Sequence, residues 1–363
     1  MKAKVQYLSM PPGRRIIAVS DIHGNLSYFR GLLDKLGFSR EDVLIILGDM
    51  LEKGPESLAT LRYIMALCRE YSVYPVCGNC DAWFRICGSG SDRMLQILRE
   101  YINKKPQATL AQMCREAGIE VSPGMDMRAA SEELMRRFSE EFSFLESLPT
   151  IVETGYYTFV HGGLPEGRLT ELDAFKCMKN DNFMNQGRKF DKWCIVGHWP
   201  VVLYGENITN ANPIIDRESR IISIDGGCVL KDDGQLNGLI IPEYGSEDFT
   251  WEYYDHFPRY RVKTGQAESQ CSYYIRWGDN LVEILERGPE FSLCRHLRTG
   301  YRMRILTKYL YGEGPVCRCN DCTDYVLPLR AGDVVSLVEA TSCGYLVKHR
   351  GISGWYYGEL LPL

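Results

Sequence analysis

"RRIIAVSDIHGN", residues 14–25, begins as a short apolar, β-branched run and stops on a carboxylate, Asp21, and an imidazole, His23. The run reads as a buried strand. Behind it, "LSYFRGLLDKLG" places Leu26, Phe29, Leu32, Leu33 and Leu36 at helical spacing, and Gly37 ends the helix. "EDVLIILGD" (41–49) repeats the form and stops on Asp49. "ESLATLRYIMALCREY" (56–71) reads as the next helix and "VYPVCGN" (73–79) as a third strand, ending on Asn79. Strand, turn and helix in alternation predict a partly parallel sheet with helices on its faces.

Residues 84–148 break that rhythm. "RMLQILREYI", "LAQMCREAG" and "SEELMRRFSEEFSFLESL" predict an inserted helical cap. Strand patterns resume at 156–163, 192–200, 220–228, 236–244 and 249–254, a second group expected to pack on the first. "YYTFVHGG" ends on His161 and "KWCIVGHWP" on His198. Three of the six histidines therefore follow predicted strands or their turns.

Ligands of open α/β sheets gather beyond the carboxyl ends of the strands. Asp21, His23, Asp49, Asn79, His161 and His198 would converge on one such rim. Burying so many unpaired polar groups costs several kcal/mol, which a cation relieves. Two carboxylates, one amide and three imidazoles are too many for a single open catalytic ion. They suit a pair of ions about 3.5–4 Å apart with one carboxylate between them. Each residue alone reads as a turn former, a helix cap or a satisfied histidine; the joint placement carries the metal reading.

"SDIHGN", "GDMLEKGP", "GNCD", "FVHGG" and "GHWP", in that order, resemble the calcineurin-like metallophosphoesterases. "GHWP" followed by "SIDGGC" is similar to the phosphoprotein phosphatase branch and its bacterial relatives, among them dinucleoside tetraphosphate hydrolases. The resemblance spans about 21–240 and implies a four-layer αββα sandwich with a dinuclear centre. It assigns Asp21 and His23 to one metal, Asn79, His161 and His198 to the other, and Asp49 to both. Manganese is the expected ion, with iron or zinc as alternatives, since oxygen and imidazole donors suit all three. The implied reaction is hydrolysis of phosphate esters or anhydrides by a hydroxide held between the ions. Lys53 stands where the family has a phosphate-binding arginine, and Lys179 is a candidate for a second.

One position departs from the family pattern. The histidine that protonates the leaving group is Cys80 here, and the carboxylate that orients it is Glu52. Asp81 is a candidate substitute acid. Another possibility is a leaving group stable as an anion, and a third is a weakly active metal-binding scaffold. Asp225, in "SIDGGC", reads as a turn former.

From about residue 258 the chain turns to short strands with frequent glycine. Residues 331–363 resemble the end of a Src-homology-3-like barrel, a possible peptide-binding element. The expected domains are thus 1–257, phosphoesterase, and 258–363, small and β-rich. "CRCNDC" (317–322) departs from paired zinc-knuckle spacing and reads as loop or core cysteines. The 14 cysteines in a chain this long are expected to be reduced thiols. With 42 basic and 47 acidic side chains, net charge -5, no nucleic-acid polymer is expected as partner. No apolar run reaches the roughly 20 residues of a membrane span, and the N-terminus lacks a signal-peptide pattern, so a cytoplasmic protein is expected. Its partner would be a phosphorylated protein, nucleotide or small molecule.

Overall fold

The computed structural model describes residues 1–363, apart from the side chain of Ser89. The chain divides into two compact units. The first comprises Met1–Pro200, Pro213–Leu230 and Gln235–Tyr254; the second comprises Val201–Asn212, Lys231–Gly234 and Asp255–Leu363.

In chain order the strands as far as Tyr254 are β1 (Val5–Tyr7), β2 (Ile16–Val19), β3 (Val43–Ile46), β4 (Ser72–Pro75), β5 (Ile151–Glu153) and β6 (Tyr157–Val160). There follow β7 (Trp193–Val196), β8 (Thr209–Asn210), β9 (Ile214–Asp216), β10 (Ile221–Ser223), β11 (Leu236–Ile241) and β12 (Thr250–Tyr254). All but β8 belong to the first unit, in two sheets ordered β12-β11-β2-β3-β4 and β1-β5-β6-β7-β10-β9. Helices α1 (Leu26–Leu36) and α2 (Ser57–Glu70) carry the chain between the parallel strands β2, β3 and β4.

β2 and β3 are buried along their whole length, as parallel strands covered on both faces must be. Their two-residue period sends alternate side chains into different layers. Ile16, Ala18, Val43 and Ile45 meet Tyr157, Phe159, Trp193 and Ile195 between the sheets. Ile17, Val19, Leu44 and Ile46 face the other way, onto Phe29 and Leu32 of α1 and Leu61 and Ile64 of α2. On the far side of the second sheet, Ile151, Val160, Cys194 and Ile221 pack with Cys177 of the short helix α7 (Ala174–Met178) and with Phe183. The first unit is therefore layered helix, sheet, sheet, helix. α1 ends as its sequence predicts: Gly37 adopts φ 58° and its N–H closes on Asp34 O.

The expected insertion is helical: α3 (Asp92–Lys104), α4 (Thr109–Ala117), α5 (Met127–Arg137) and α6 (Ser139–Ser147) follow a tight turn of helix at Cys80–Ser89. Leu98, Ile102, Met113, Leu134 and Leu145 join the same apolar layer as α1 and α2. One difference concerns the late strands. β11 and β12 do not extend the second group but return to the first sheet, β11 lying antiparallel to β2.

In the second unit β8 pairs with Ile352–Tyr356 in a six-stranded sheet. A five-stranded sheet is centred on Leu281–Glu286, flanked by Phe291–His296 and Val316–Cys319. The strand-rich character read from residue 258 onward is thus what the chain adopts. Trp355, the tryptophan of the proposed barrel strand, is buried, and its indole donates to Thr323 O at 2.8 Å. Cys317 and Cys319 lie in an apolar cluster with Cys294 and Trp355. No disulfide is formed among the described residues. Nor is any helix among them long and apolar enough to cross a membrane.

Candidate metal centre

β2, β3 and β4 are parallel in one sheet, and β6, β7 and β10 in the other. Asp21 and His23 follow β2, Asp49 follows β3, Asn79 β4, His161 β6, His198 β7 and Asp225 β10. The carboxyl ends of six strands thus deliver these side chains.

The loops that carry them are strained. Among the described residues, ten non-glycine positions have positive φ, and six belong here: Asp21 (56°), His23 (52°), Asp49 (46°), Glu52 (69°), Lys53 (67°) and His198 (66°). The left-handed region costs ordinary residues free energy, and such costs cluster where function demands them. Close approach helps set the geometry. A Cβ on Gly78 would lie 2.1 Å from Asp49 N, so only glycine lets the β4 loop reach the β3 loop.

Asp49 is central. Its carboxylate lies 3.9 Å from His23 Nε2 on one side and 3.3 Å from His161 Nε2 on the other, and it accepts the Cys80 N–H at 2.8 Å. His23 Nε2 is also 3.8 Å from Asp21 Oδ1. The His161 and His198 rings stand edge to face, 5.1 Å apart. Donor atoms of Asp49, His161 and His198 lie within 4.8 Å of one another, as do those of His23, Asp49 and Cys80.

The two inner imidazoles are oriented from behind. His23 Nδ1 faces Leu51 O at 3.3 Å and His161 Nδ1 faces Leu47 O at 2.6 Å. A carbonyl only accepts, so Nδ1 carries the hydrogen and Nε2 turns a lone pair toward carboxylate oxygens. Lone pairs facing one another at these distances call for a positive charge between them. The partnerless atoms agree: Asp21 Oδ1, His23 Nε2, Asn79 Oδ1, His161 Nε2 and Asp225 Oδ2 are buried without a hydrogen bond. Each such orphan costs roughly 1–3 kcal/mol. Asp21 shows how selective this is, because Oδ2 accepts from Ser20 Oγ and from His198 N while Oδ1 is left bare. The donor set fits divalent cations.

Charge follows the same logic. Burial raises the Asp21 carboxyl to about 6. Burial works to depress His161, but Asp49 and Asp21 override it and hold the imidazole up at about 10, so the ring itself takes up a proton between those carboxylates unless a cation supplies the charge in its place. Burial and the charge of His161 push His198 down to about 4. Asp49 is held below the usual carboxylate range, its burial outweighed by His161 and His23.

A model of the calcineurin-like phosphoesterase family matches residues 14–226, more than half of the chain. The chain belongs to that family. A symmetrical bis(5'-nucleosyl)-tetraphosphatase of Aromatoleum aromaticum is 30% identical over 158 residues, covering 43% of this chain and 46% of that protein. The chain thus spans less than half of that relative. The asymmetrical bis(5'-nucleosyl)-tetraphosphatase PrpE of Bacillus subtilis is 23% identical over 255 residues, 62% of this chain and 90% of its own. A solved metallophosphoesterase from Sphaerobacter thermophilus aligns at 20% identity with a TM-score of 0.38, over 67% of this chain and 89% of that one.

The remaining expected residues of this calcineurin-like phosphoesterase are placed as follows. Lys53 is exposed, and its charge bears on His23 and Cys80. Lys179 is exposed and pairs with Asp181 at 3.1 Å; Asp181 in turn holds His198 Nε2 at 2.7 Å. Cys80 is buried, with its thiol pushed well up by burial and by Asp49. Asp81 is turned to the backbone, one oxygen accepting Leu51 N–H and the other Gly78 N–H, and burial and Asp49 raise it to about 7. Glu52 accepts from the Tyr101 hydroxyl at 2.8 Å and from Thr109 N–H at 3.0 Å.

Two residues escaped the sequence reading. Asp181 lies in a loop without periodicity and had no signal. Asp225, read as a turn former, does accept its own Gly227 N–H, but its other oxygen is an orphan and burial with Asp21 raises it to about 8. Its place after a strand, like Asp21 and Asp49, was the available clue.

Proposed function

We propose that the protein is a metal-dependent hydrolase of phosphate esters or anhydrides. Two divalent ions, manganese or alternatively iron or zinc, would be held by Asp21 and His23 on one side and by Asn79, His161 and His198 on the other, with Asp49 shared. The observation that carries this reading is the set of partnerless buried donor atoms on Asp21, His23, Asn79 and His161. Bound ions would supply Lewis-acid charge for the phosphoryl oxygens and lower the pKa of water at neutral pH. The chain's own part is positional. Leu47 O and Leu51 O fix the tautomers, and the Cys80 N–H fixes Asp49. Lys53 and Lys179 offer point charges that attract phosphate without the two-pronged grip of arginine.

A phosphorylated protein or small phosphate ester is the first substrate reading. Dinucleoside polyphosphates are the second, favoured by the bis(5'-nucleosyl)-tetraphosphatases among the relatives. Hydrolysis of p-nitrophenyl phosphate, O-phosphoserine and diadenosine tetraphosphate, each with and without manganese, tests both. Metal-dependent turnover is expected. A reconstituted protein inert on all three would refute the hydrolase reading and leave a metal-binding scaffold.

A further inference from the structure

We propose that Asp181 is a positioning residue of the metal centre: from a loop with no sequence pattern, it fixes the tautomer and the ring orientation of His198. This assignment rests on the metal-dependent reading above and adds a residue to it.

His198 is held differently from the two inner imidazoles. His23 and His161 face backbone carbonyls with Nδ1, which leaves Nε2 for an ion. His198 is bonded at the other nitrogen: its Nε2 lies 2.7 Å from Asp181 Oδ1. A carboxylate accepts, so the hydrogen sits on Nε2 and the lone pair of the neutral ring sits on Nδ1. The His198 side chain is 8% exposed and that of Asp181 46%, so the carboxylate reaches a nearly buried ring from the solvent side. The backbone of His198 is fixed separately, its N–H donating to Asp21 Oδ2 at 2.9 Å.

The loop that carries Asp181 is fastened to the rim. It follows α7, and Gly162 and Gly163, directly after His161, both donate N–H to Cys177 O, at 2.8 and 3.2 Å. A Cβ on Gly162 would lie 2.7 Å from Met178 O and 2.8 Å from Asn180 N. Glycine there lets the chain just before Asp181 lie against the loop that bears His161. On the other side of Asp181, Phe183 is buried, and a Cβ on Gly163 would lie 2.5 Å from its ring. Gln186 Nε2 closes the turn, donating to Asn180 Oδ1 at 2.8 Å and to Asp181 O at 3.1 Å. The backbone is thus held on both sides of the carboxylate, which gives its side chain a fixed place to reach from.

Histidines that hold metals are commonly oriented by a carboxylate on their second nitrogen, which also raises their basicity as ligands. Asp181 supplies that partner to His198, where backbone carbonyls supply it to His23 and His161. Without Asp181 the ring can turn and carry its hydrogen on either nitrogen. A hydrogen on Nδ1 would take away the lone pair that His198 offers beside Asp49 and His161, whose donor atoms lie within 4.8 Å of its own. The same carboxylate oxygen also accepts from Lys179 Nζ at 3.1 Å. That bond steadies the carboxylate but does not touch the ring, so removing Lys179 separates the two contacts.

The test uses the full-length protein, with its Asp181→Ala and Lys179→Met variants, in two measurements. The first is nuclear magnetic resonance of the metal-free protein carrying nitrogen-15 histidine, with the His198 ring signals assigned by their loss in His198→Gln. Hydrogen on Nε2 is expected in wild type and in Lys179→Met, and a mixture of both tautomers in Asp181→Ala. The second is calorimetric titration with manganese. Asp181→Ala should bind manganese about 10–100-fold more weakly than wild type, and Lys179→Met should not. Hydrogen on Nδ1 in the wild-type ring would overturn the assignment without recourse to the Asp181 variant. So would an Asp181→Ala protein that keeps either the wild-type tautomer or the wild-type manganese affinity, or a Lys179→Met protein that loses as much affinity as Asp181→Ala. A wild-type protein that binds no manganese, iron or zinc would overturn the metal-dependent reading itself, and this one with it.

Discussion

Gly197, between β7 and His198, is where the close approach of the loops can be tested with one methyl group. A Cβ there would lie 1.7 Å from Ser20 Oγ, 2.7 Å from Ser20 Cβ and 2.5 Å from Asp21 Oδ2, against the 3.4 Å at which ordinary contact begins. Gly197→Ala must therefore move the serine hydroxyl by 1.7 Å, from 1.7 to 3.4 Å, and the Asp21 oxygen by 0.9 Å, from 2.5 to 3.4 Å. The hydroxyl can rotate away. Asp21 cannot move freely, because the same oxygen accepts His198 N–H and its φ is already positive. Overpacking of this kind costs about 1–3 kcal/mol. A midpoint of about 2 kcal/mol corresponds to a melting temperature about 4–8 °C lower for a unit of this size. Displacing Asp21 should also weaken manganese binding by about 10–100-fold, the usual effect of disturbing the support of a ligand. Gly124→Ala is the control, since a Cβ at Gly124 meets nothing within 4 Å. Thermal melts and calorimetric titration with manganese read both effects. A Gly197→Ala protein that melts and binds manganese like wild type would refute the packing argument.

Asp42 accepts two bonds from Arg15, at 2.8 and 2.9 Å, and two from Ser39, the N–H at 2.8 Å and the hydroxyl at 3.3 Å, so Asp42→Asn should cost about 1–3 kcal/mol in denaturant unfolding. Burial opposes ionisation of this carboxyl, but Arg15 and Ser39 outweigh it and hold the group below its ordinary range. The contribution is therefore complete above about pH 4, the unfolded value, and is lost as pH falls through the lower folded value, where wild-type and Asp42→Asn stabilities should converge. Divergence toward low pH would reverse the sign and reject the linkage. Cys80→His should gain little on phosphoserine, because Glu52 already commits its oxygens to Tyr101 and Thr109; a gain of about 100-fold would show that Glu52 is free to orient the new imidazole and contradict this reading.

The sheet and its rim were legible because parallel, doubly covered strands read as unbroken apolar runs, and the polar residues at their ends stand out against them. β1, β5 and β9 were not legible: each has three residues, too few to show alternation. The return of β11 beside β2 is a long-range pairing that local pattern does not encode. Asp21, His23, Asp49, Asn79, His161 and His198 could be placed beyond the strand ends from position alone. The positive φ of four of them could not, since aspartate and histidine are not obligatory there as glycine would be. The pairing of Glu52 with Tyr101 joins residues 49 positions apart across an irregular insertion, and nothing local announces it. Cys80 raised the question of the missing acid from the sequence, and only the structure shows that Glu52 beside it is engaged by Tyr101 and Thr109.

The central claim is that Asp49 is shared by two metal ions. Metal content per chain, measured by mass spectrometry after exhaustive dialysis of the manganese-loaded protein, tests it directly in wild type and in Asp49→Ala, with near-ultraviolet circular dichroism as the check on folding. The account predicts two ions per wild-type chain and loss of both in the folded variant. One ion per wild-type chain, or two retained by Asp49→Ala, would contradict it.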